Sequence, residues 1–154
     1  MTRADRLSGF ALFDGLTAAQ RAAVAGAARD VKFGSGARLF EEGQLASGCW
    51  LIRAGQVALE TSFPGRGPAV VQTLGPGDVL GWSWLFEPYR WQFDAEARED
   101  VAAVAFDGIC LRTKCDADAH LGYLLVQRFA KVMLARLQSV RMRMLDIYGP
   151  GTPN

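Results

Sequence analysis

The chain has 154 residues, of which 50% are hydrophobic and 21% charged, with a net charge of +1. This length and balance predict one globular domain with enough apolar material for a core. They exclude a molecule-wide positive field for DNA or an anionic membrane, leaving room only for a local basic patch.

In chain order, the first predicted element is a helix in LFDGLTAAQRAAVAGAARDV, within an N-terminal helical segment spanning 1–30. Thr17 is its expected N-cap, because a hydroxyl there accepts from a free first-turn amide, and the alanines that follow are strong helix formers. Phe13 and Leu16 precede the cap and should pack the start of the helix. The polar opening MTRADRLSGF predicts no secretory leader. No stretch approaches the roughly 18 apolar residues of a membrane span.

Across 31–112 the texture changes to short apolar runs, KFGSGARLF, CWLIRAG, QVALETSF, AVVQTLG and VAAVAF, separated by EEGQLASG, RAGQ, FPGRGP and GPGD. Glycine reaches positive φ at little steric cost, so these separators read as turns. Short strands with turns at this spacing predict an antiparallel sandwich or barrel, with FPGRGP at a hairpin tip.

A long C-terminal helix is predicted over 116–148, with Asp116 or Asp118 capping its start and Gly149–Pro150 ending it. The stripe Val126, Phe129, Met133, Leu137, Val140, Met144 and Ile147 advances by alternating threes and fours, close to a coiled-coil seam. Leu121, Leu125 and Val132 should pack back on the sheet. Arg128, Lys131, Arg136, Arg141 and Arg143 should form basic, solvated faces. A helix of about 45 Å, at 1.5 Å per residue, outreaches one small barrel. The seam therefore predicts a homodimer, with Phe129, Met133, Leu137, Val140 and Met144 at its interface.

Other chemistry has little support. Cys49, Cys110 and Cys115 are odd in number and scattered, which fits no disulfide framework and suits a reducing cytoplasm. One histidine, His120, and no CxxC supply too few ligands for zinc or an iron–sulfur cluster. His120 reads as a surface or capping residue. No hydrolase triad or Walker loop is visible, so the expectation is no enzyme, no metal and no cofactor. Cys115 would be reactive only if it sat at a helix N-terminus, where thiol pKa falls; an inert thiol is the simpler reading.

The segment KFGSGARLFEEGQLASGCWLIRAGQVAL resembles the cyclic-nucleotide-binding domain family in the placing of Gly36, Leu39–Phe40, Gly43, Ala46, Cys49 to Ile52 and Gly55. LGPGDVLGWSWLF is similar to the approach to that family's phosphate-binding cassette. The resemblance implies a mainly β fold, a double-stranded β-helix (jelly-roll) barrel flanked by helices, as in catabolite-activator/Fnr-like regulators. Those regulators carry a helix-turn-helix after the long helix. Only GPGTPN follows Tyr148 here, whereas such a motif needs roughly twenty residues, so a stand-alone sensor without direct DNA binding is expected.

In the family, the cassette supplies a glycine and a glutamate near its start, and at its end an arginine followed by a small residue. By position, Gly81 matches the glycine and Arg90 the arginine, whereas Trp82 replaces the glutamate and Trp91 the small residue. The implied ligand-binding residues are Gly81, Trp82, Ser83, Arg90 and Trp91, and the implied ligand is cAMP, cGMP or a related phosphate. A guanidinium grips phosphate with paired hydrogen bonds, and amides after Gly81 would add donors if they open a helical turn. The alternatives for Arg90 are an anion site or a salt bridge to Glu87, Asp94 or Glu96. For the whole chain they are a small-molecule sensor with an unknown protein partner, or a ligand-free dimeric scaffold with tryptophans filling the pocket.

Overall fold

The computed structural model describes residues 7, 9–65 and 67–148, with the side chains of 63, 143, 144, 147 and 148 set aside. After a 3-10 turn at Ala11–Phe13 comes helix α1, Ala18–Ala25. Its start is a reciprocal capping box: Thr17 Oγ1 accepts from Gln20 N at 3.1 Å, and Gln20 Oε1 accepts from Thr17 N at 3.0 Å. Phe13, as expected, is buried at this entrance, its ring 5.5 Å from Phe106.

Eight strands follow: β1 Ala28–Phe33, β2 Arg38–Phe40, β3 Gly48–Ala54, β4 Val57–Phe63, β5 Gly67–Leu74, β6 Val79–Leu80, β7 Asp94–Ala97 and β8 Val101–Asp107. They form two antiparallel four-stranded sheets, ordered β1-β8-β3-β6 and β2-β7-β4-β5. Among the described residues the ladders run in these two sheets and do not close into one barrel. β4 and β5 make the expected hairpin, with Gly65 in its turn. β3 and β8 pair along their length and approach so closely that a Cβ on Gly48 would collide with the carbonyl oxygen of Phe106. Buried side chains such as Leu51, Ile52, Val57, Leu59 and Val104 belong to one continuous core.

The C-terminal helical region differs from the single helix expected from 116. Helix α2, Gly108–Ala117, begins as soon as β8 ends, because the Asp107 carboxylate accepts from Cys110 N at 2.8 Å and caps it. Asp118 is extended and breaks the helix; its Oδ1 accepts from Leu121 N at 3.2 Å and starts α3, Ala119–Tyr148. Asp118, not Asp116, is thus the cap of the long helix. Hydrogen bonding to Leu121 N holds its carboxyl below the usual carboxylate range. The expected stop at Gly149–Pro150 lies outside the described residues.

Leu121, Leu125 and Phe129 pin the first half of α3 to the core, and Val132 packs against it. Phe129 is 1% exposed, its ring edge-on to Trp84 at 5.4 Å, so it serves this chain's own core and is closed to a partner. Leu137 is exposed, Met133 and Val140 are half-buried, and the side chain of Met144 lies outside the described set. Cys115 sits near the end of α2 rather than at a helix start. Burial pushes its thiol up, and Asp116 and Asp118 push it further, opposite to the shift a reactive thiolate needs. No described helix is long and apolar enough to cross a membrane.

Candidate ligand site

Residues 89–91 run antiparallel to the 43–46 turn: Gly43 N donates to Trp91 O at 2.9 Å, Trp91 N to Gln44 O at 3.0 Å, and Ala46 N to Tyr89 O at 2.7 Å. Arg90 and Leu45 form a β-bridge. Successive side chains of extended backbone point to opposite faces, so one of Arg90 and Trp91 faces the interior and the other faces out. Trp91 is inside. It is 4% exposed, stacked on Phe40 with ring centroids 3.9 Å apart and planes 11° from parallel, and 5.8 Å from the ring of Trp50.

The same ring explains Gly81, which stands at φ +97°. A Cβ there would lie 2.9 Å from Trp91 Cζ3. Gly81 therefore accommodates an indole where the cassette comparison implies an anion. The following backbone makes a single 3-10 turn, Ser83–Leu85, with Ser83 buried. Behind it Trp84 is wholly buried, and Arg112 locks the turn by donating from Nη1 to Trp84 O while its guanidinium lies 4.1 Å over the ring of Tyr89.

Arg90 is exposed, and its Nη1 donates to Gly43 O at 3.4 Å. It reaches none of the carboxylates proposed for it that are engaged elsewhere: Asp94 pairs with Arg38 at 3.1 Å and Glu96 with Arg98 at 3.5 Å. Among Gly81, Trp82, Ser83, Arg90 and Trp91, the structure brings four around one small cavity and leaves out Arg90. That cavity is about 20 Å³, roughly what one water needs.

The residue that sequence reasoning missed is Arg136. Placed among the solvated basic positions of α3, it is instead 8% exposed and lines the small cavity beside Trp82. Its Nη2 donates to Val79 O, its guanidinium lies 5.0 Å over the Trp82 ring, and its Nη1 is buried with no hydrogen-bond partner among the described residues. Burial lowers its pKa to about 10, against a favourable pull from Asp78, so it stays protonated at neutral pH. A shift of this size corresponds to roughly 3 kcal/mol of disfavoured charge. The signal in the sequence was its place one residue before Leu137, on the side of the helix that Phe129 and Val132 also face.

Arg136 also borders a groove of about 590 Å³ between α3 and the β4–β5 face. Of the 11 lining residues only Thr61, Gln72 and Arg136 are polar. Trp82 forms part of its wall, the one tryptophan of the four that is not buried.

The fold is a β-roll with flanking helices, and comparison with known proteins gives the family. The family model described as cyclic nucleotide-binding domain matches residues 30–118. The chain belongs to the cyclic nucleotide-binding domain family. A Geobacter metallireducens protein named for cyclic nucleotide binding is 30% identical, with 89% of this chain and 99% of that one covered at a TM-score of 0.80. A cyclic nucleotide-binding domain from Methylobacillus flagellatus shares the fold at 16% identity, 97% and 82% coverage and a TM-score of 0.76. The Thermus thermophilus catabolite activator protein does so at 23% identity, 88% and 62% coverage and a TM-score of 0.69. No curated protein matches the chain in sequence.

Proposed function

We propose that this chain is a non-enzymatic signalling module of the cyclic nucleotide-binding fold, homodimeric through α3, whose cassette is closed to cyclic nucleotides. The family's members are typically regulators or sensors, and the cytoplasm is the compartment that suits such a role. The observation that carries the closed cassette is the Trp91 ring, stacked on Phe40 and pressed against Gly81, with only about 20 Å³ left beside it. A nucleotide would have to displace that indole, and Arg90 is not turned to meet its phosphate.

The dimer reading rests on α3. Tyr123, Leu134 and Leu137 are 65%, 54% and 65% exposed, an apolar row at helical spacing that an isolated domain leaves in water. The interface is therefore centred on Leu134 and Leu137, flanked by Met133 and Val140, and Phe129 takes no part.

Calorimetry with cAMP and cGMP up to millimolar concentration tests the closed cassette. The expected result is no heat of binding and no difference between the parent and Arg90→Ala. Saturable binding of cAMP that Arg90→Ala abolishes would restore the cassette as a working receptor. Sedimentation tests the dimer, and a monomer at high concentration refutes it.

A further inference from the structure

The corner where α1 meets the junction of α2 and α3 takes no part in the cassette or in the α3 seam, and it holds the chain's single histidine. We propose that Gln20 and His120 form a proton-sensitive latch on that junction, closed while His120 Nδ1 is bare and released when that nitrogen takes a proton. The inference goes beyond the signalling reading above and depends neither on the state of the cassette nor on pairing of α3.

The geometry fixes where each hydrogen of the latch points. Gln20 is 7% exposed, and its Oε1 accepts from Thr17 N at 3.0 Å, so the amide oxygen belongs to the cap of α1 and the group cannot be turned round. Its Nε2 then faces the junction, 2.9 Å from His120 Nδ1 and 3.4 Å from Asp118 Oδ2. A side-chain amide nitrogen donates two hydrogens and accepts none. His120 Nδ1 must therefore accept, which places the proton of the neutral ring on Nε2. A proton on Nδ1 would set two donors head to head at 2.9 Å, where no hydrogen bond forms.

Imidazole is the side chain that changes charge between about pH 5 and 8, and His120 is exposed, so it meets solvent protons directly. Because the neutral ring makes the bond, the bond is present above that window and lost below it. The charged groups on the helices that meet here are four. Arg21 of α1 donates to Phe13 O at 3.0 Å, Lys114 Nζ of α2 stands beside Gly26, Asp116 is exposed on the last turn of α2, and Asp118 acts on the ring. Asp118, held below the usual carboxylate range first by Leu121 N, keeps its charge through the window. Gln20 holds its Oδ2 only at 3.4 Å, longer than an ordinary N–H···O bond, which leaves that oxygen open to the imidazolium. Exclusion by Gln20 and attraction to Asp118 thus act in the same direction. Arg128 still donates to Ala11 O at 2.8 Å after release, so the 3-10 turn stays anchored and what loosens is α1 against the base of α3.

The test uses the full chain. At about pH 8, nitrogen NMR of the ring should show Nδ1 bare and the proton on Nε2. Hydrogen exchange, corrected for its intrinsic pH dependence, should show the amides of α1 opening roughly two- to tenfold more at about pH 5.5 than at about pH 8, the change that one hydrogen bond's net contribution converts to. Strands β3 and β8 should not respond. His120→Asn offers an amide oxygen in place of Nδ1 and should keep α1 closed at both pH values. His120→Lys carries a permanent donor and should leave α1 open at both. A proton on Nδ1 at about pH 8, or equal opening at both pH values in the parent, overturns the proposal. So does a pH effect that persists in His120→Asn, because another group then supplies it, or a closed α1 in His120→Lys.

Discussion

The cassette segment 81–91 and the α3 turn at 133–137 each carry one arginine, and the two arginines have exchanged surroundings. Arg90, in the position that grips phosphate elsewhere in the family, is in water and bonded to a loop carbonyl. Arg136, in a position read as surface, is buried over Trp82 with one donor unmet among the described residues. Where a cation sits in this fold is decided by its neighbours. Trp91 took the inward position of its strand, and the period of two then turned Arg90 outward.

Four experiments break or sharpen that contrast. The largest effect belongs to Trp91→Ala, which should cost about 3–5 kcal/mol in urea unfolding, because a stacked indole leaves a cavity against Phe40 and Gly81. A loss below about 1 kcal/mol would mean that the ring does not hold the roll closed. Leu137→Glu should come next. A charge in the centre of an apolar helix seam should raise the dimer dissociation constant tenfold or more in sedimentation, with the monomer's thermal stability little altered.

Arg136→Met should be smaller in the ligand-free protein, within about 1 kcal/mol of the parent despite the burial. Its charge penalty is roughly 3 kcal/mol. The charged hydrogen bond to Val79 O contributes about 1.5–3 kcal/mol in the other direction, and the contact with Trp82 about 0.5–2 kcal/mol. These terms nearly cancel, and replacing a buried ion by an apolar chain is often neutral or stabilising. A loss of several kcal/mol would make Arg136 a structural clamp. The smallest effect is Arg90→Ala, expected within about 0.5 kcal/mol by chemical denaturation, as for surface substitutions generally.

The pattern of agreement between sequence and structure follows the range of the forces involved. The capping box at Thr17 and the strand-and-turn texture from Phe33 to Phe106 were legible because they are set by local stereochemistry. The state of the cassette was legible as a question, since indoles at 82 and 91 stand where the resemblance implies a glutamate and a small residue. The break at Asp118 was not, because residues 108–117 carry no strong helical period and the helix there is fixed by a cap at Asp107 and by packing under Trp84. Arg136 was hidden for a related reason. A 3.5-residue seam assigns faces as though the helix met one partner, whereas α3 meets its own roll on one side along Leu121, Leu125 and Phe129 and leaves Leu134 and Leu137 to another. Which side claims position 136 depends on the tertiary placing of Trp82 and Val79.

The single extended residue between α2 and α3 has a mechanical consequence. α2 is tied to the roll by its cap on Asp107 and by Arg112 over the turn at Trp84, whereas the far half of α3 runs beyond the last residues that anchor it. Beyond Arg136 the rod runs on for about 18 Å, at 1.5 Å per residue, so a bend of about 10° there moves its tip by about 3 Å. Slight wedging beneath the middle of that rod is thereby magnified at its free end, where another molecule would read the displacement.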